Sequence, residues 1–163
     1  MPEFNAWAVL LAALASFAVG GVWYSPLLFG KAWQKATGLT DEQLKRGNMP
    51  VIFGLTFLLC LAASFVFAMF LGPRPTLALG LGAGFSAGFF WVSASFGVNY
   101  LFEHKPLKLF LINAGYHTVQ FTVIGLILAL MPVPQAQPTA MAPQVDDSAQ
   151  PAICRVYDPP RLT

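Results

Sequence analysis

Four long apolar runs alternate along the chain with short polar segments. The runs cover residues 5–25, 50–72, 76–101 and 107–131, and the one charged residue in them is Lys108, at the start of the last run. A helix rises about 1.5 Å per residue, so roughly 20 residues cross the hydrocarbon core of a bilayer. Lipid offers the backbone no hydrogen-bond partner, so each run should be helical. The pattern predicts an all-α integral membrane four-helix bundle formed by residues 1–131.

The composition agrees with this interpretation. Hydrophobic residues make up 56% of the chain and charged residues 10%, whereas soluble domains carry about 25% charged residues. The first run follows "MPEFN", which lacks the basic residues of a secretory signal, so we expect this helix to be retained. Residues 132–163 hold seven of the 13 prolines and show no apolar periodicity, so they are predicted to form a disordered tail.

Basic residues are concentrated in two of the three predicted loops. The second loop contains only Arg74, whereas the first contains Lys31, Lys35, Lys45 and Arg46. Lys105 lies in the third loop, and Lys108 lies beside it at the start of the last run. By the positive-inside rule, both basic loops are predicted to be cytoplasmic, which places both termini outside the inner membrane of the cell. The lipid bilayer is thus an expected partner, whereas a net charge of +2 without a basic cluster predicts no nucleic-acid binding.

The first loop has the pattern of a short amphipathic helix. Ser25 suits its N-cap, Pro26 its first position and Gly38 its end. Its apolar face would consist of Leu28, Phe29, Ala32, Trp33 and Ala36, and its opposite face would carry Lys31 and Lys35. The pattern predicts an interfacial helix between the first two spans, followed by a capping box of Thr40 and Gln43. Simple anchoring and a gating or partner-binding role both remain open.

Small residues recur every four positions in the first and third runs. The stripes are Ala8, Ala12, Ser16 and Gly20 in the first run, and Gly80, Gly84 and Gly88 in the third. Such stripes allow the backbones of two membrane helices to approach closely. They predict that the third helix packs against the first, and a homo-oligomer joined through the third helix is the alternative.

Polar side chains recur along one face of the fourth run. Asn113, His117 and Gln120 are separated by four and three residues, so they share one face of a helix. Polar groups within a membrane are costly and usually face the bundle interior. With residues of the first and third spans they predict a polar cluster that could bind a ligand, formed by Tyr24, Asn99, Glu103, Asn113, His117 and Gln120. Hydrogen bonds that only hold the fold, and a proton site, are the alternatives.

Glu103 is the acidic residue nearest to this cluster. It follows Asn99 by one helical turn, so we expect it to face the interior, whereas His104, rotated by about 100°, should face outward. With two histidines in the chain and no CxxC or HExxH motif, neither a metal site nor another cofactor is predicted. Cys60 lies in mid-helix and should behave as a small apolar residue.

These features leave two classes of function open. The first is a non-enzymatic module that binds a small ligand or lipid, or permits the passage of small solutes as an oligomer. The second is a small membrane-embedded enzyme in which Glu103 acts with His104 or His117 as acid and base. The sequence contains no GxxxxGK[ST], and the spans offer no second carboxylate near Glu103, so the first class is preferred.

Three segments resemble a bacterial membrane-protein family known as domain of unknown function 1761. They read "NAWAVL", "WYSPLLFGKAWQKATGLTDEQLK" and "VNYLFEHKPLKLFLINAGYH", and the likeness covers about residues 4–131. The resemblance implies a four-helix integral membrane protein and no particular activity, so it transfers no catalytic residue. Its signature segments contain Trp23, Tyr24, Ser25, Pro26, Asn99, Tyr100, Glu103, Pro106, Lys108, Asn113 and Tyr116.

Overall fold

The structure is a computed structural model that describes residues 3–134, and this part of the chain is helical without a β-strand. Four of its helices are long and apolar enough to cross a membrane. We number them span 1 (Ala6–Trp23), span 2 (Met49–Leu71), span 3 (Leu77–Phe102) and span 4 (Leu107–Leu130). The predicted fold class is therefore confirmed. The predicted disordered tail beyond residue 134 lies outside the described residues.

Polar residues mark the start of three spans. Asn5 accepts hydrogen bonds from the backbone N–H groups of Trp7 and Ala8, while Asn48 and Thr76 cap spans 2 and 3 in the same manner. Each side chain replaces a hydrogen bond that the first turn of a helix cannot make with its own carbonyls. Span 4 instead begins directly after Pro106, whose extended backbone turns the chain into the helix.

Span 4 is the central helix of the bundle. Of its most apolar stretch 44% is buried, compared with 22–28% for the other spans. It packs against span 3 on one side and span 1 on the other, while span 2 packs mainly on span 1 and touches span 4. The apolar core lies where spans 1, 2 and 4 meet, around Ala8, Ala12, Phe67, Ile124 and Leu128. Spans 1, 2 and 3 therefore present more of their surface to the surroundings than span 4 does.

The glycine stripe of span 3 faces span 4. A Cβ atom added at Gly80, Gly84 or Gly88 would meet the backbone carbonyl of Gly125, Phe121 or His117, respectively. The prediction that this stripe packs against span 1 is therefore wrong. The reason is that span 4 has its own notch at Gly125, where the two backbones approach each other directly. The stripe is already covered within the chain, so it is not a free homodimer seam.

The small residues of span 1 lie between spans 2 and 4. Ala8, Ala12 and Ser16 are completely or almost completely buried. Gly20, the last of the stripe, lies against the aromatic ring of Tyr116, whose hydroxyl would be 3.1 Å from an added Cβ atom. The stripe of span 3 thus packs on span 4, and the stripe of span 1 packs between spans 2 and 4. Both stripes allow close packing around span 4.

Span 3 contains one π-helical turn, at Ala87–Val92. Immediately after it, the Ser93 hydroxyl lies 2.7 Å from the carbonyl oxygen of Gly88 and 3.2 Å from that of Ala114 in span 4. A π turn holds one more residue than an α turn, so it rotates the following residues by about 100° around the helix axis. Residues after Val92 therefore do not lie on the face where regular α-helical spacing from Gly80, Gly84 and Gly88 would place them.

The first loop forms two short helices, Gly30–Thr37 and Asp41–Lys45. The first begins four residues later than predicted. The Ser25 hydroxyl donates to the carbonyl of Val22 and accepts from the N–H of Leu27, and residues 25–29 form turns before the helix starts. This first loop helix is closed by Gly38, which has a positive φ of 76°. The predicted capping box of Thr40 and Gln43 is present at the start of the second. The first loop helix packs against span 4.

Candidate functional site

The Asn113 amide joins three spans at the end of the bundle that carries the lysine-rich loops. The Tyr24 hydroxyl, at the end of span 1, donates to Asn113 Oδ1 at 2.9 Å. Asn113 Nδ2 donates in turn to the Tyr100 hydroxyl of span 3 at 2.7 Å. Asn113 is 8% exposed, and both the oxygen and the nitrogen of this buried amide have hydrogen-bond partners. We call these three residues the tyrosine–asparagine cluster.

A second polar cluster lies two helical turns deeper, around Gln120. Its Nε2 atom lies 2.8 Å from Ser16 Oγ of span 1 and 3.6 Å from Cys60 Sγ of span 2. Its Oε1 atom lies 3.0 Å from Nδ1 of His117 on the preceding turn. This glutamine cluster therefore ties spans 1, 2 and 4 together, while the tyrosine–asparagine cluster ties spans 1, 3 and 4.

Aromatic rings fill the space between the two clusters. The Tyr116 ring centroid lies 5.1 Å from that of Tyr24 and 4.8 Å from that of His117. On its other side the His117 ring stacks on Phe96 of span 3, with a centroid distance of 4.9 Å and an interplanar angle of 20°. At the edge of this layer Trp23 Nε1 donates to the carbonyl of Ile112 at 3.1 Å.

Asn99 lies outside both clusters. It lines an open groove of about 360 Å³ on the outer face of span 3, together with Trp91, Val92, Ser95 and Phe96. We call this the span 3 groove. The π turn upstream explains the position of Asn99, because the extra residue moves the following part of the helix off the face that packs on span 4.

The prediction that Glu103 faces the interior is wrong. Its side chain is 54% exposed, and its nearest charged partner is Lys105, at 4.0 Å. The backbone N–H of Glu103 donates to the Asn99 carbonyl at 2.9 Å, so Glu103 keeps its helical spacing from Asn99 and shares its outer position. The chain then turns through His104, which has a positive φ of 53°. His104 is exposed as well. An exposed pair such as Glu103–Lys105 contributes at most about 1 kcal/mol to stability.

Four of the six predicted ligand-binding residues thus meet inside the bundle, namely Tyr24, Asn113, His117 and Gln120. The sequence reasoning missed their partners Ser16, Cys60, Phe96, Tyr100 and Tyr116. One signal was available. Buried amides require partners, and hydroxyl groups on the neighbouring spans are the obvious donors and acceptors.

A family model described as "Protein of unknown function (DUF1761)" matches residues 7–129. The chain belongs to the DUF1761 family. The matched region contains spans 2 and 3 and nearly all of spans 1 and 4, so the family assignment and the four-span fold concern the same part of this DUF1761 protein. Neither curated proteins nor solved structures gave a match.

The signature residues of this DUF1761 protein divide into two groups. Five of them meet in the interior, namely Trp23, Tyr24, Tyr100, Asn113 and Tyr116. The other six lie in the loops or at the surface, where Pro26, Asn99, Glu103, Pro106 and Lys108 are exposed and Ser25 is half-buried. Within residues 3–134, no three His, Cys, Asp or Glu side chains are grouped so that they could share a metal ion.

Proposed function

We propose that this DUF1761 protein is a non-enzymatic membrane module that binds one lipid or similar amphiphile in the span 3 groove. The observation that carries this proposal is the groove itself, which opens sideways from a membrane-spanning helix and combines aromatic walls with the polar side chains of Ser95 and Asn99. Apolar walls with a few polar groups are typical of small-molecule sites.

A second groove provides a useful comparison. It lies between spans 1 and 2, has a volume of about 430 Å³, and is lined only by apolar residues, among them Phe4, Leu58 and Phe65. Any acyl chain can fill such a surface. The span 3 groove offers in addition a free amide at Asn99, so it has the chemistry to select an amphiphile with a polar group near one end.

The interior polar groups favour a structural role over catalysis. Asn113 and Gln120 have hydrogen-bond partners on both sides of their amides. Glu103 lies in the exposed turn, whereas His117 lies ten residues into span 4, about 15 Å deeper by the rise of a helix. The Glu103–His117 pair of the enzymatic alternative is therefore not assembled, since both groups would have to lie within hydrogen-bond reach of one substrate. The other pair, Glu103 with His104, lies in the exposed turn.

Ser95→Phe is expected to block the groove and to lower lipid retention by about tenfold, which corresponds to about 1.4 kcal/mol of binding free energy. Thr56→Phe is the matched control. Both hydroxyls are exposed and donate to the carbonyl one turn earlier, Ser95 to Trp91 at 2.8 Å and Thr56 to Ile52 at 2.7 Å. Native mass spectrometry in mild detergent reports the bound lipid. Equal retention by Ser95→Phe, Thr56→Phe and the unmodified protein would exclude the groove as the site.

We also propose the orientation in which the lysine-rich loops are cytoplasmic and the termini are outside. Support comes from the charge distribution, because Lys31, Lys35, Lys105 and Lys108 all lie at one end of the bundle and Arg74 at the other. At the Arg74 end, the side chain of Asn5 donates to the carbonyl of Met131, which places the start of span 1 beside the end of span 4.

Cysteine labelling of intact cells tests this orientation. In a Cys60→Ser, Cys154→Ser background, an impermeant thiol reagent is expected to label Glu3→Cys but to leave Lys31→Cys and Lys108→Cys unmodified until the membrane is permeabilised. Labelling of both lysine-loop positions in intact cells, with Glu3→Cys protected, would reverse the proposed orientation.

A further inference from the structure

The first loop helix carries two lysines that no acidic side chain offsets. Lys31 and Lys35 are exposed and lie one turn apart, so they project from the same face of this helix. The helix itself contains no acidic residue, and the next one along the chain, Asp41, accepts a hydrogen bond from Gln34. Within residues 3–134, neither lysine forms an ion pair. The helix therefore presents two uncompensated positive charges on one face.

Three other basic residues at this end of the bundle have acidic neighbours. Lys105 lies 4.0 Å from Glu103. The second loop helix begins with two acidic residues and ends with Lys45, which Arg46 follows directly, so the opposite charges offset each other along this short segment. The first loop helix, in contrast, has a pair of cations available to an anion from outside the chain.

Aromatic contacts fix the position of the first loop helix. The Trp33 ring, on the face opposite the lysines, packs edge-on against Tyr24, with a centroid distance of 5.7 Å. Tyr24 in turn donates to Asn113 inside the bundle. Phe29, which directly precedes the helix, lies 4.8 Å from the Trp23 ring between centroids. The two lysines are therefore held in one place relative to the spans, which lowers the entropic cost of binding an anion there.

Exposed apolar side chains precede the two lysines. Leu27 is 90% exposed and Leu28 51%, and both follow closely after the end of span 1. At the end of a membrane span, such side chains are expected to lie in the acyl-chain region next to the headgroups. Lys31 follows Leu27 by four residues, and a lysine can keep its alkyl stem beside the acyl chains while its ammonium group reaches the headgroups.

The headgroups that best match this face are anionic. The phosphate of a phospholipid lies at the level that these ammonium groups would reach, and basic residues at a membrane surface favour lipids with a net negative charge. A phosphocholine headgroup adds its own positive charge to the phosphate, so its net attraction to a pair of lysines is weaker. Charge therefore distinguishes between lipids that have the same acyl chains.

We propose that Lys31 and Lys35 form a binding site for one anionic phospholipid, whose phosphate contacts both ammonium groups and whose acyl chains lie beside Leu27 and Leu28. This site is separate from the span 3 groove, which no basic residue lines. Its existence does not depend on the proposed function.

Native mass spectrometry of the full chain in mild detergent compares lipids that differ only in the headgroup. The probes are phosphatidylglycerol, which carries a net negative charge, and phosphatidylcholine with identical acyl chains, which does not. The unmodified protein is expected to bind phosphatidylglycerol at least about tenfold more tightly. Lys31→Gln/Lys35→Gln should remove this preference, since each lysine beside an anionic surface contributes about fivefold to affinity.

Lys45→Gln/Arg46→Gln is the matched control. It removes the same number of charges from exposed positions of the same loop and should keep the preference for phosphatidylglycerol. An equal loss of preference in both double variants would show that only the net charge of the protein matters, which would overturn the site. An unchanged preference in Lys31→Gln/Lys35→Gln would overturn it as well.

Ser95→Phe separates this site from the span 3 groove. The variant should retain less lipid in total and keep the preference for phosphatidylglycerol. If total retention does not change and the preference persists, the proposed function fails and the lysine site stands. Loss of the preference in Ser95→Phe would place headgroup recognition in the groove and overturn the lysine site.

The deacylated headgroup separates a lipid from a free anion. Glycerophosphoglycerol carries the charge of phosphatidylglycerol without its acyl chains, so at equal concentration it should not displace the lipid. Displacement would show that the anion alone is sufficient for binding, and the assignment of the site to a lipid would be overturned.

Discussion

Gly84→Leu is expected to destabilise the bundle by at least about 3 kcal/mol, the upper part of the range for overpacked sites. A side chain at this position would meet the backbone of Phe121 and Thr122 in span 4, and backbone atoms cannot move aside as a flexible side chain can. Span 3 must therefore separate from the central helix. Reversible unfolding in mixed micelles with increasing SDS, followed by circular dichroism, measures the difference.

Gly82→Leu is the matched control for this prediction. Gly82 lies two residues away on the same helix, and a Cβ atom there would meet no other atom within 4 Å. The substitution should be neutral or slightly stabilising, because glycine is a poor helix former by about 1 kcal/mol relative to the best residues. Similar losses for Gly82→Leu and Gly84→Leu would show that helix flexibility, and not the close approach of spans 3 and 4, explains the glycines.

The hydropathy pattern was sufficient to predict the four spans, because the thickness of the bilayer imposes a length that is visible in a single sequence. It could not assign the partner of the glycine stripe. A stripe shows that some helix approaches closely, but the choice between spans 1 and 4 depends on the complementary notch at Gly125. In span 4, Gly125 is followed at this spacing by one further small residue, Ala129, so the pattern is shorter than the stripes of three and four residues in the other spans.

The errors on Asn99 and Glu103 have a common physical origin. Asn99 was predicted to face the interior because polar groups within a span usually do, and Glu103 because it follows Asn99 by one turn. The π turn at Ala87–Val92 rotates this part of span 3, so that Asn99 and Glu103 lie off the face that packs on span 4. This turn is accompanied by tertiary contacts, since the Ser93 hydroxyl lies near carbonyls of both Gly88 and Ala114. Contacts between residues 21 positions apart leave no local signature. In contrast, span 4 is regular, and the predicted face of Asn113, His117 and Gln120 brought these residues into the interior polar clusters.

The two interior clusters and the span 3 groove divide the polar residues of the bundle by role. Asn113 and Gln120 are buried and paired, so they hold the spans in one arrangement around span 4. Asn99 is exposed on the groove, and its side chain makes no interhelical hydrogen bond among the described residues. Substitutions in the interior clusters should therefore change stability, whereas substitutions on the groove should change ligand binding. This difference allows the stabilising role of the tyrosine–asparagine cluster to be tested separately from ligand binding.

Asn113→Leu is expected to lower the free energy of unfolding by about 2 kcal/mol, since each interhelical hydrogen bond in a membrane contributes about 0.6 and at most about 1.7 kcal/mol. The leucine leaves the hydroxyls of Tyr24 and Tyr100 without their partner. Removing these hydroxyls as well, in Tyr24→Phe/Asn113→Leu/Tyr100→Phe, should restore about half of the loss, because no unpaired polar group remains. The same SDS titration measures all variants.

Asn99→Leu is the control on the groove side. Asn99 makes no interhelical hydrogen bond among the described residues, so this variant should unfold within about 0.5 kcal/mol of the unmodified protein while retaining less lipid. The opposite pattern, in which Asn113→Leu unfolds normally but loses bound lipid, would place the ligand at the tyrosine–asparagine cluster. If the triple variant is no more stable than Asn113→Leu, the unpaired hydroxyls do not contribute to the loss in unfolding free energy. The leucine would then destabilise the bundle through packing.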